Sequence, residues 1–267
     1  IMKILVTGST GFLGKEVCSM LKLENKSIYK ISSKKKRGYV KFNFKNHKKI
    51  KKILEEIRPD IIINMAATID FKKKNIEEFK LNFKLPEILA NYCLKYKKFL
   101  VQVSTVYVHG EKKKYSIKSK FDNSTTYGYS KLKGDMKILK SNCNHSIIRF
   151  PGIFGKNGPD HLYINKVLKE RVKKKLITLH DSGNQKRNYI FVKDATKFVY
   201  DCVKKQLKGI FYVCGETLSV KTMLNNIKKN YNFKIIHLNN KKAKHDQIII
   251  PNYKINYTKF KIAIKNL

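Results

Sequence analysis

The sequence is poor in cysteine and has no long apolar run. Its five cysteines are far apart and form no C-x-x-C pair: Cys18, Cys93, Cys143, Cys202 and Cys214. Because this scatter fits neither a zinc site nor a disulfide framework, we expect no metal and a reducing, cytoplasmic setting. No apolar stretch approaches the roughly 20 residues that cross a bilayer, so we also expect no membrane partner.

Acidic residues and arginine are scarce as well. The 267 residues include 59 Lys and Arg against 19 Asp and Glu, a formal net charge of +40, but only five of the basic residues are arginine. Such an excess raises the possibility of a nucleic-acid partner, because phosphates attract cations. Specific readers of nucleic acid tend to use the bidentate guanidinium fork, however. We therefore interpret the excess as a solvated lysine coat and expect no specific nucleic-acid partner.

The clearest motif lies near the start of the chain. Residues Lys3–Gly14 read K-I-L-V-T-G-S-T-G-F-L-G, an apolar strand followed by three glycines spaced three apart. Gly8 allows a sharp turn, Gly11 lacks the Cβ that would block a diphosphate, and Gly14 lets the next helix lie close to the sheet. The N–H groups and the helix dipole at such a turn attract phosphate. The stretch therefore predicts a dinucleotide-binding turn.

Strand-like and helix-like segments alternate after this turn. Residues 27–32 read as a second strand, the apolar run 61–65 reads as a strand covered on both faces, and 127–139 reads as a helix. A helix over 75–96 contains Pro86, which predicts a kink or a break. The alternation predicts an α/β fold with a doubly wound parallel sheet.

The pattern loosens after residue 150, where glycines and a proline predict a loop over 151–159. We therefore assign residues 1–152 to a dinucleotide-binding Rossmann domain. Residues 153–267 form a smaller α+β substrate-binding region, interleaved with the first domain at about 187–205.

The end of the second strand bears on the choice between NAD and NADP. An acidic residue there accepts hydrogen bonds from the adenosine ribose, whereas small polar and basic residues accommodate a 2′-phosphate. In this chain Ser32 and Ser33 are followed by a basic run over 34–37. The pattern favours NADP over NAD, although lysines are frequent throughout the chain.

A tyrosine and a lysine, Tyr127 and Lys131, fall on one face of a predicted helix. A phenol has an ordinary pKa of about 10, so it exchanges protons at neutral pH only if a neighbouring ammonium stabilises the phenolate. Lys131 can do this and can also donate to a cofactor ribose. Ser104 and Thr105 end an upstream strand, where a hydroxyl can orient a substrate oxygen. These groups predict proton exchange with an alcohol or carbonyl oxygen while a nicotinamide exchanges hydride.

Six segments extend this pattern along residues 3–215: T-G-S-T-G-F-L-G, R-P-D-I-I-I-N-M-A-A, V-S-T-V-Y-V-H-G, Y-G-Y-S-K-L-K-G-D, I-I-R-F-P-G-I-F-G and R-N-Y-I-F-V-K-D-A. Their order and spacing resemble the extended short-chain dehydrogenase/reductases, the nucleotide-sugar epimerases, dehydratases and reductases. The resemblance implies a cytoplasmic NAD(P)-dependent enzyme that acts on a nucleotide-activated sugar and forms a homodimer.

The resemblance also implies roles for single residues. Thr105, Tyr127 and Lys131 match the catalytic hydroxyl, tyrosine and lysine, and Thr105 also contacts the substrate. Arg187 matches an arginine that grips the diphosphate of a nucleotide sugar; without the resemblance it reads as half of a surface ion pair. Asn82 matches a position that supports the backbone of the active site. Besides Tyr127 and Lys131, the matched cofactor positions are Gly8, Thr10, Gly11, Phe12, Leu13, Gly14, Ala66, Ala67, Pro151 and Ile153.

The reaction itself stays open between two outcomes. Residues 82–90 are similar to dTDP-4-dehydrorhamnose reductases, whereas R-N-Y-I-F-V-K-D-A is closer to the epimerases. Val106 and Tyr107 follow Thr105, where the dehydratases of the family carry Asp-Glu, so we do not expect a 4,6-dehydratase. The chain either reduces a 4-keto group or epimerises through a 4-keto intermediate. The alternative is a non-catalytic, dinucleotide-binding regulatory subunit of the same fold.

Overall fold

Short runs of isoleucine, valine and leucine form the central strands. The computed structural model describes residues 2–24, 26–33, 36–42, 47–173, 176–179, 181–238 and 245–267. The elements up to residue 150 are β1 (Lys3–Thr7), α1 (Phe12–Leu23), β2 (Ser27–Ser32), β3 (Val40–Lys41), α2 (His47–Ile57), β4 (Ile61–Asn64), α3 (Leu81–Lys95), β5 (Phe99–Thr105), β6 (Lys114–Tyr115), α4 (Thr126–Ser141) and β7 (Asn144–Phe150). Two 3₁₀ turns, Ile76–Phe79 and Val106–His109, precede α3 and follow β5.

The rest of the chain contains shorter strands and further helices. These elements are β8 (Gly152–Phe154), α5 (Tyr163–Lys173), β9 (Leu176–Leu179), β10 (Lys186–Phe191), α6 (Val192–Lys205), β11 (Gly209–Tyr212), β12 (Glu216–Ser219), α7 (Val220–Lys228), β13 (Lys234–His237), β14 (Ile248–Ile249) and α8 (Phe260–Lys265). Among the described residues, no helix has the length and apolar character needed to cross a membrane.

The largest sheet has seven strands in the order β11-β7-β5-β4-β1-β2-β3. The pairings of β1 with β2 and β4, of β2 with β3 and of β4 with β5 are all parallel. The strand order therefore reverses beside β1, and ligands bind at such a point, beyond the carboxyl ends of the strands. The predicted fold class, a doubly wound parallel sheet, is confirmed.

The described chain divides into two compact units. The first comprises Ile1–Glu111, Ser119–Arg149 and Thr196–Phe211, and the second comprises Lys112–Lys118, Phe150–Ala195 and Tyr212–Leu267. The first unit contains most of the large sheet, the glycine turn and the Tyr127–Lys131 segment.

One apolar layer of the first unit shows how the sheet is stabilised. Leu5, Ile62 and Leu100 are register partners on three neighbouring strands and are completely buried. Leu54 of α2 and Leu89 of α3 belong to the same cluster. Because burial of each such side chain contributes about 1.5–3 kcal/mol, this layer holds the strands in register.

The second unit has its own core of aromatic rings. Its three-stranded sheet has the order β12-β10-β8. The ring of Phe154 on β8 lies 5.6 Å from Phe191 on β10 and 5.0 Å from Phe260 on α8. These contacts join the C-terminal helix to the small sheet of the same unit.

One local prediction is wrong and another is wrong in part. We predicted a kink or a break at Pro86; the break does not occur, because α3 runs through this proline and the change from 3₁₀ to α-helix lies at Lys80, and the kink stays a prediction. Pro86 has no N–H to donate to the backbone oxygen of Asn82, one turn before it. That oxygen lies against Gly134 of α4, and a Cβ added to Gly134 would lie only 2.3 Å from it. The predicted loop over 151–159 begins instead with β8, because Gly152–Phe154 pairs with β10.

Candidate active site

The glycine turn lies at the carboxyl end of β1. Gly8 has a φ of +66°, in the left-handed region that favours glycine. A Cβ at Gly8 would lie 2.5 Å from the carbonyl carbon of Met65, just beyond β4, and a Cβ at Gly14 would lie 2.1 Å from the Gly8 oxygen. The turn therefore passes close to β4, and α1 begins directly against the turn.

The space at Gly11 is different. Within the described part of the chain, a Cβ there would meet one heavy atom within 4 Å, the Gly8 oxygen at 3.1 Å. Gly11 is exposed, and it is also the N-cap of α1. An open cradle at a helix N-terminus fits the diphosphate of a dinucleotide, and a side chain at Gly11 would fill part of it.

A buried polar row holds this end of the sheet together. The Thr7 hydroxyl donates to Oδ1 of Asn64, and Asn64 Nδ2 donates to Gln102 Oε1 at 2.7 Å. These three residues are register partners on β1, β4 and β5. In addition, Ser9 Oγ donates to the backbone oxygen of Ile31 at 2.8 Å. The row fixes the turn relative to three strands.

Thr105, Tyr127 and Lys131 come together at the carboxyl end of β5. Thr105 is the last residue of β5, and its side chain lies close enough to the Tyr127 phenol to lower the pKa of that phenol. Lys131 Nζ donates to the backbone oxygen of Val103 at 2.8 Å. The three predicted catalytic residues are therefore gathered at the same sheet edge as the glycine turn.

The start of α4 explains the placement of Tyr127. Thr125 is the N-cap, and its Oγ1 accepts a hydrogen bond from the Gly128 N–H at 3.2 Å. A Cβ at Gly128 would lie 2.0 Å from the backbone oxygen of Tyr107, so only glycine lets the helix approach the 3₁₀ turn after β5 this closely. This approach brings the phenol of Tyr127 to Thr105.

Lys131 is a buried cation, with only 4% of its surface exposed. Burial lowers the pKa of its ammonium to about 8, while the charge of Asp135 raises it. Among the described residues the ammonium makes one hydrogen bond, to Val103, so two of its three N–H groups remain for a ligand.

The phenol of Tyr127 does not follow the sequence expectation. Burial raises its pKa above the ordinary value, Tyr107 and Asp135 act in the same direction, and Thr105 opposes them. We expected Lys131 to lower this pKa, but the Lys131 ammonium is bonded to Val103. The phenol therefore holds its proton at neutral pH in this structure.

Two aromatic rings pack against the half-buried Tyr127. The ring of Phe71 lies edge-on to Tyr127 at 5.2 Å and to Tyr107 at 5.9 Å, and Phe79 lies 6.5 Å from Tyr127. Phe71 is 45% exposed, although it packs against the tyrosine. Sequence reasoning missed Phe71, because it lies in an irregular segment after β4 where periodicity carries no signal.

Asn82 ties this segment to α4. Its Oδ1 accepts from the Thr68 N–H at 2.7 Å, and its Nδ2 donates to the Thr68 oxygen and to Ser130 Oγ, each at 2.9 Å. Ser130 Oγ in turn donates to the Tyr127 oxygen at 2.7 Å. The side chain of Asn82 thus supports the backbone on both sides of the phenol.

We expect Asn82→Ala to lower stability by about 2–4 kcal/mol, because it leaves the half-buried backbone groups of Thr68 and the buried hydroxyl of Ser130 without this partner. The melting temperature should fall by about 5–15 °C in a calorimetric scan. Asn75→Ala is the matched control, because Asn75 is exposed and accepts a single bond, from Glu77 N–H at 3.0 Å. Asn75→Ala should lower stability by about 1 kcal/mol. Equal losses in the two variants would contradict the bracing role of Asn82.

The remaining predicted cofactor positions of the first unit lie on or beside the glycine turn. Thr10 is exposed, Phe12 is half-buried, and the Leu13 side chain lies in the core, which leaves its backbone for a ligand. The Ala66 N–H donates to Thr7 Oγ1 at 3.3 Å, and Ala67 follows it.

At the end of β2, Ser32 is buried and Ser33 is exposed. Lys34 and Lys35, half of the basic run that favoured NADP, lie outside the described residues. The preference for NADP therefore remains a prediction.

Pro151, Ile153 and Arg187 belong to the second unit. Ile153 lies on β8 and is the register partner of Ile190 on β10, the strand that carries Arg187. Arg187 Nη1 donates to the backbone oxygens of Lys186 and His245, both at 2.8 Å. The guanidinium is thus anchored to main chain within its own unit.

A buried ion pair lies behind Lys131, and sequence reasoning missed it. Arg149 on β7 donates to Asp135 on α4 from Nη2 at 3.0 Å and from Nε at 3.2 Å. The position of Asp135, four residues after Lys131, was an available signal for a shared helix face. In the described part of the chain, no cluster of His, Cys, Asp and Glu could hold a metal ion.

The family is decided by a match that spans most of the chain. The sequence model described as RmlD substrate binding domain matches residues 2–244. The chain belongs to this family. Its predicted resemblance to the extended short-chain dehydrogenase/reductases is confirmed, since curated relatives and solved structures of that class match it as well.

Three curated relatives illustrate the range of proteins similar to this RmlD-family chain. It is 28% identical over 242 residues to the bifunctional polymyxin resistance protein ArnA of Wigglesworthia glossinidia brevipalpis, with 76% of the chain and 36% of ArnA covered. The chain thus spans about a third of ArnA. It is 25% identical to the uncharacterized UDP-glucose epimerase YtcB of Bacillus subtilis, with 82% and 76% covered. It is 24% identical to methionine adenosyltransferase 2 subunit beta of Xenopus tropicalis, with 82% and 69% covered.

Two solved structures share the fold of the RmlD-family chain. UDP-N-acetylglucosamine 4-epimerase from Bacillus cereus superposes with a TM-score of 0.85 at 22% identity, with 100% of this chain and 98% of that chain covered. dTDP-4-dehydrorhamnose reductase from Bacillus anthracis, in complex with NADP, superposes with a TM-score of 0.84 at 19% identity, with 100% of this chain and 98% of that chain covered. At this identity the likeness establishes the fold alone.

Proposed function

We propose that this chain is an NAD(P)-dependent enzyme that acts on a nucleotide-activated sugar by hydride transfer at a sugar carbon. The observation that carries the proposal is the convergence of Thr105, Tyr127 and Lys131 at the same sheet edge as the glycine turn. The reaction is either reduction of a 4-keto group or epimerisation through a 4-keto intermediate.

The chain's own residues fit a nicotinamide dinucleotide. The cradle at Gly8, Gly11 and Gly14 would hold the diphosphate, and the two unused N–H groups of Lys131 would reach a ribose. Ser32 and Ser33 would face the adenosine end, with NADP favoured over NAD. When bound, the nicotinamide supplies or accepts the hydride.

In this proposal Tyr127 is the proton donor. A phenol keeps its proton at neutral pH, so Tyr127 is in the protonation state that donation to a carbonyl oxygen requires. The Thr105 hydroxyl would orient the same oxygen. The Lys131 ammonium would attract the phenolate that remains after the proton has left.

We assign substrate binding mainly to the second unit. Arg187 on β10 would contact the nucleotide sugar, because a planar guanidinium suits a diphosphate, whereas Pro151 and Ile153 would lie near the nicotinamide. A solved structure of the same fold, UDP-glucose 4-epimerase of Thermotoga maritima with UDP-glucose, supports a nucleotide sugar as the substrate. A homodimer is part of the same proposal.

The test is turnover by the purified chain. A set of UDP- and dTDP-linked 4-keto sugars is incubated with NADPH or NADH, and the loss of reduced nicotinamide is followed by absorbance. A reductase consumes the reduced cofactor in proportion to product, whereas an epimerase interconverts UDP-hexoses with no net loss. A true ligand also raises the melting temperature. If no member of the set is turned over and none raises the melting temperature, the proposal is contradicted.

The second candidate is a regulatory subunit that binds a dinucleotide without catalysis. The observation that favours it is the similarity to methionine adenosyltransferase 2 subunit beta, a protein named as a subunit of another enzyme. The gathered Thr105, Tyr127 and Lys131 argue against it, because a non-catalytic subunit needs none of them. Tight cofactor binding with no turnover by the chain alone would favour the regulatory role.

A further inference from the structure

Three consecutive residues of β5 contact three residues of α4 spaced four apart. The backbone oxygen of Val103 accepts from Lys131 Nζ at 2.8 Å, and Ser104 Oγ donates to Asp135 Oδ2 at 2.8 Å. The Thr105 side chain acts on the Tyr127 phenol and lowers its pKa. The first and third of these contacts belong to the proposed catalytic groups, and the middle one involves a carboxylate that our mechanism has not used.

Asp135 is a completely buried carboxylate. Its Oδ2 accepts from Ser104 and from Nε and Nη2 of Arg149, which is itself only 1% exposed. Its Oδ1 is buried and, among the described residues, has no hydrogen-bond partner. A buried oxygen without a partner costs roughly 1–3 kcal/mol, so packing alone does not favour a charged group here.

The Asp135 carboxylate lies near a buried cation, the Lys131 ammonium. Lys131 lies one helical turn before Asp135 on the same face of α4, and within the described residues it has no carboxylate at ion-pair distance. A buried ammonium with one neutral hydrogen bond loses its proton easily, because desolvation disfavours the charged form. A negative charge one turn away counters that loss without occupying the N–H groups that a ligand needs.

We propose that Asp135 is a positioning residue that keeps Lys131 an ammonium in its buried site and holds α4 in register with β5 through Ser104. This proposal rests on the proposed function for the role of Lys131, but the state of Lys131 can be measured without turnover. Arg149 anchors the carboxylate and leaves its second oxygen unpaired.

The other titratable groups that face this site come from three elements. Tyr127 shares α4 with Lys131, Tyr107 lies on the 3₁₀ turn after β5, and Arg149 lies on β7. His109 on the same turn stacks on Phe121 at 5.2 Å, and Arg149 lies over the same ring. Asp135 is the group whose charge acts on the ammonium of Lys131.

The sign of the effect follows from the charges. Asp135 raises the pKa of Lys131, so replacing it by asparagine should move the pKa, already lowered to about 8, further down. The same replacement removes one cause of the raised Tyr127 pKa. In Asp135→Asn both Lys131 and Tyr127 should therefore lose their protons at a lower pH than in the wild type. The alkaline limb of the pH profile of kcat/KM should move to lower pH with them.

The test is a titration of Lys131 in the full chain by NMR of ¹³Cε-labelled lysine. The Lys131 resonance is assigned by its loss in Lys131→Arg, and it stands apart because exposed lysines titrate at about 10.4. In Asp135→Asn the midpoint should fall by at least about half a unit, a threefold change in the ammonium-to-amine ratio. A midpoint unchanged from the wild type would overturn the proposal, whatever the activity.

Two further variants separate the charge from the structure. Ser104→Ala removes the hydrogen bond and keeps the carboxylate, so stability should fall while the Lys131 midpoint stays. Asp135→Asn can fail to fold, because it leaves Arg149 buried without its charged partner. Asp135→Asn with Arg149→Met removes both charges, and the midpoint should still fall. A purely structural role predicts the wild-type midpoint in this double variant.

Discussion

Tyr127→Phe should abolish turnover and leave cofactor binding intact. The substitution removes only the hydroxyl that lies near Thr105 and that we assign as the proton donor. Loss of a positioned acid lowers kcat by about 10²–10⁴-fold. The ring contacts with Phe71 and Phe79 remain, so the fold and the glycine turn should be undisturbed. The measurement pairs kcat on a 4-keto sugar nucleotide with the Kd for NADPH from nicotinamide fluorescence.

Tyr129→Phe is the matched control for this variant. Tyr129 lies two residues further along α4 and is 37% exposed, so its hydroxyl lies outside the proposed site. Its kcat should equal that of the wild type. A Tyr127→Phe protein that retained most of its turnover would contradict the acid role.

Gly14→Ala should both destabilise the chain and weaken binding of the dinucleotide. An added Cβ would lie 2.1 Å from the Gly8 oxygen and 2.9 Å from the Gly8 carbonyl carbon, so the turn or α1 must move. Overpacking of this kind costs about 1–3 kcal/mol, which corresponds to a fall of about 2–10 °C in melting temperature. Because the diphosphate cradle shifts with the turn, the Kd for NADPH should rise at least about tenfold.

Gly11→Ala separates the two effects. Its Cβ would meet the Gly8 oxygen at 3.1 Å and otherwise enter the cradle, and its backbone is in an ordinary extended conformation. The melting temperature should therefore stay close to that of the wild type while the Kd for NADPH rises. A Gly11→Ala protein that binds NADPH as tightly as the wild type would show that the diphosphate does not sit on this turn.

Much of the fold was predictable because the signals were local. The alternation over Ser27–Ser32 predicts the bounds of β2, and the apolar run before Thr105 predicts β5, because strands covered on both faces contain few polar residues. The three glycines predict a turn whose close contacts leave no room for a Cβ at Gly8 or Gly14. In each case the physical cause lies within a few residues of the signal.

The rest depended on contacts between distant segments. Pro86 reads as a helix breaker, but it lies inside α3, where the backbone oxygen of Asn82 packs against Gly134. The pKa of Tyr127 is set by burial among aromatic rings that only the tertiary fold assembles. Asp135 gains its role from Arg149 and from Ser104, which lies 31 residues earlier in the chain. Short, lysine-rich windows near the C-terminus carried no comparable signal for β13, β14 and α8.

A crystal structure of the chain with NADPH tests the central claim most directly. We predict the diphosphate on the turn at Gly8, Gly11 and Gly14, the Lys131 ammonium bonded to the ribose next to the nicotinamide, and the Tyr127 hydroxyl facing that ring. The Lys131 contact should fall within about 2.6–3.2 Å. A nicotinamide bound away from Tyr127 and Lys131, or a diphosphate held elsewhere on the chain, would contradict the account.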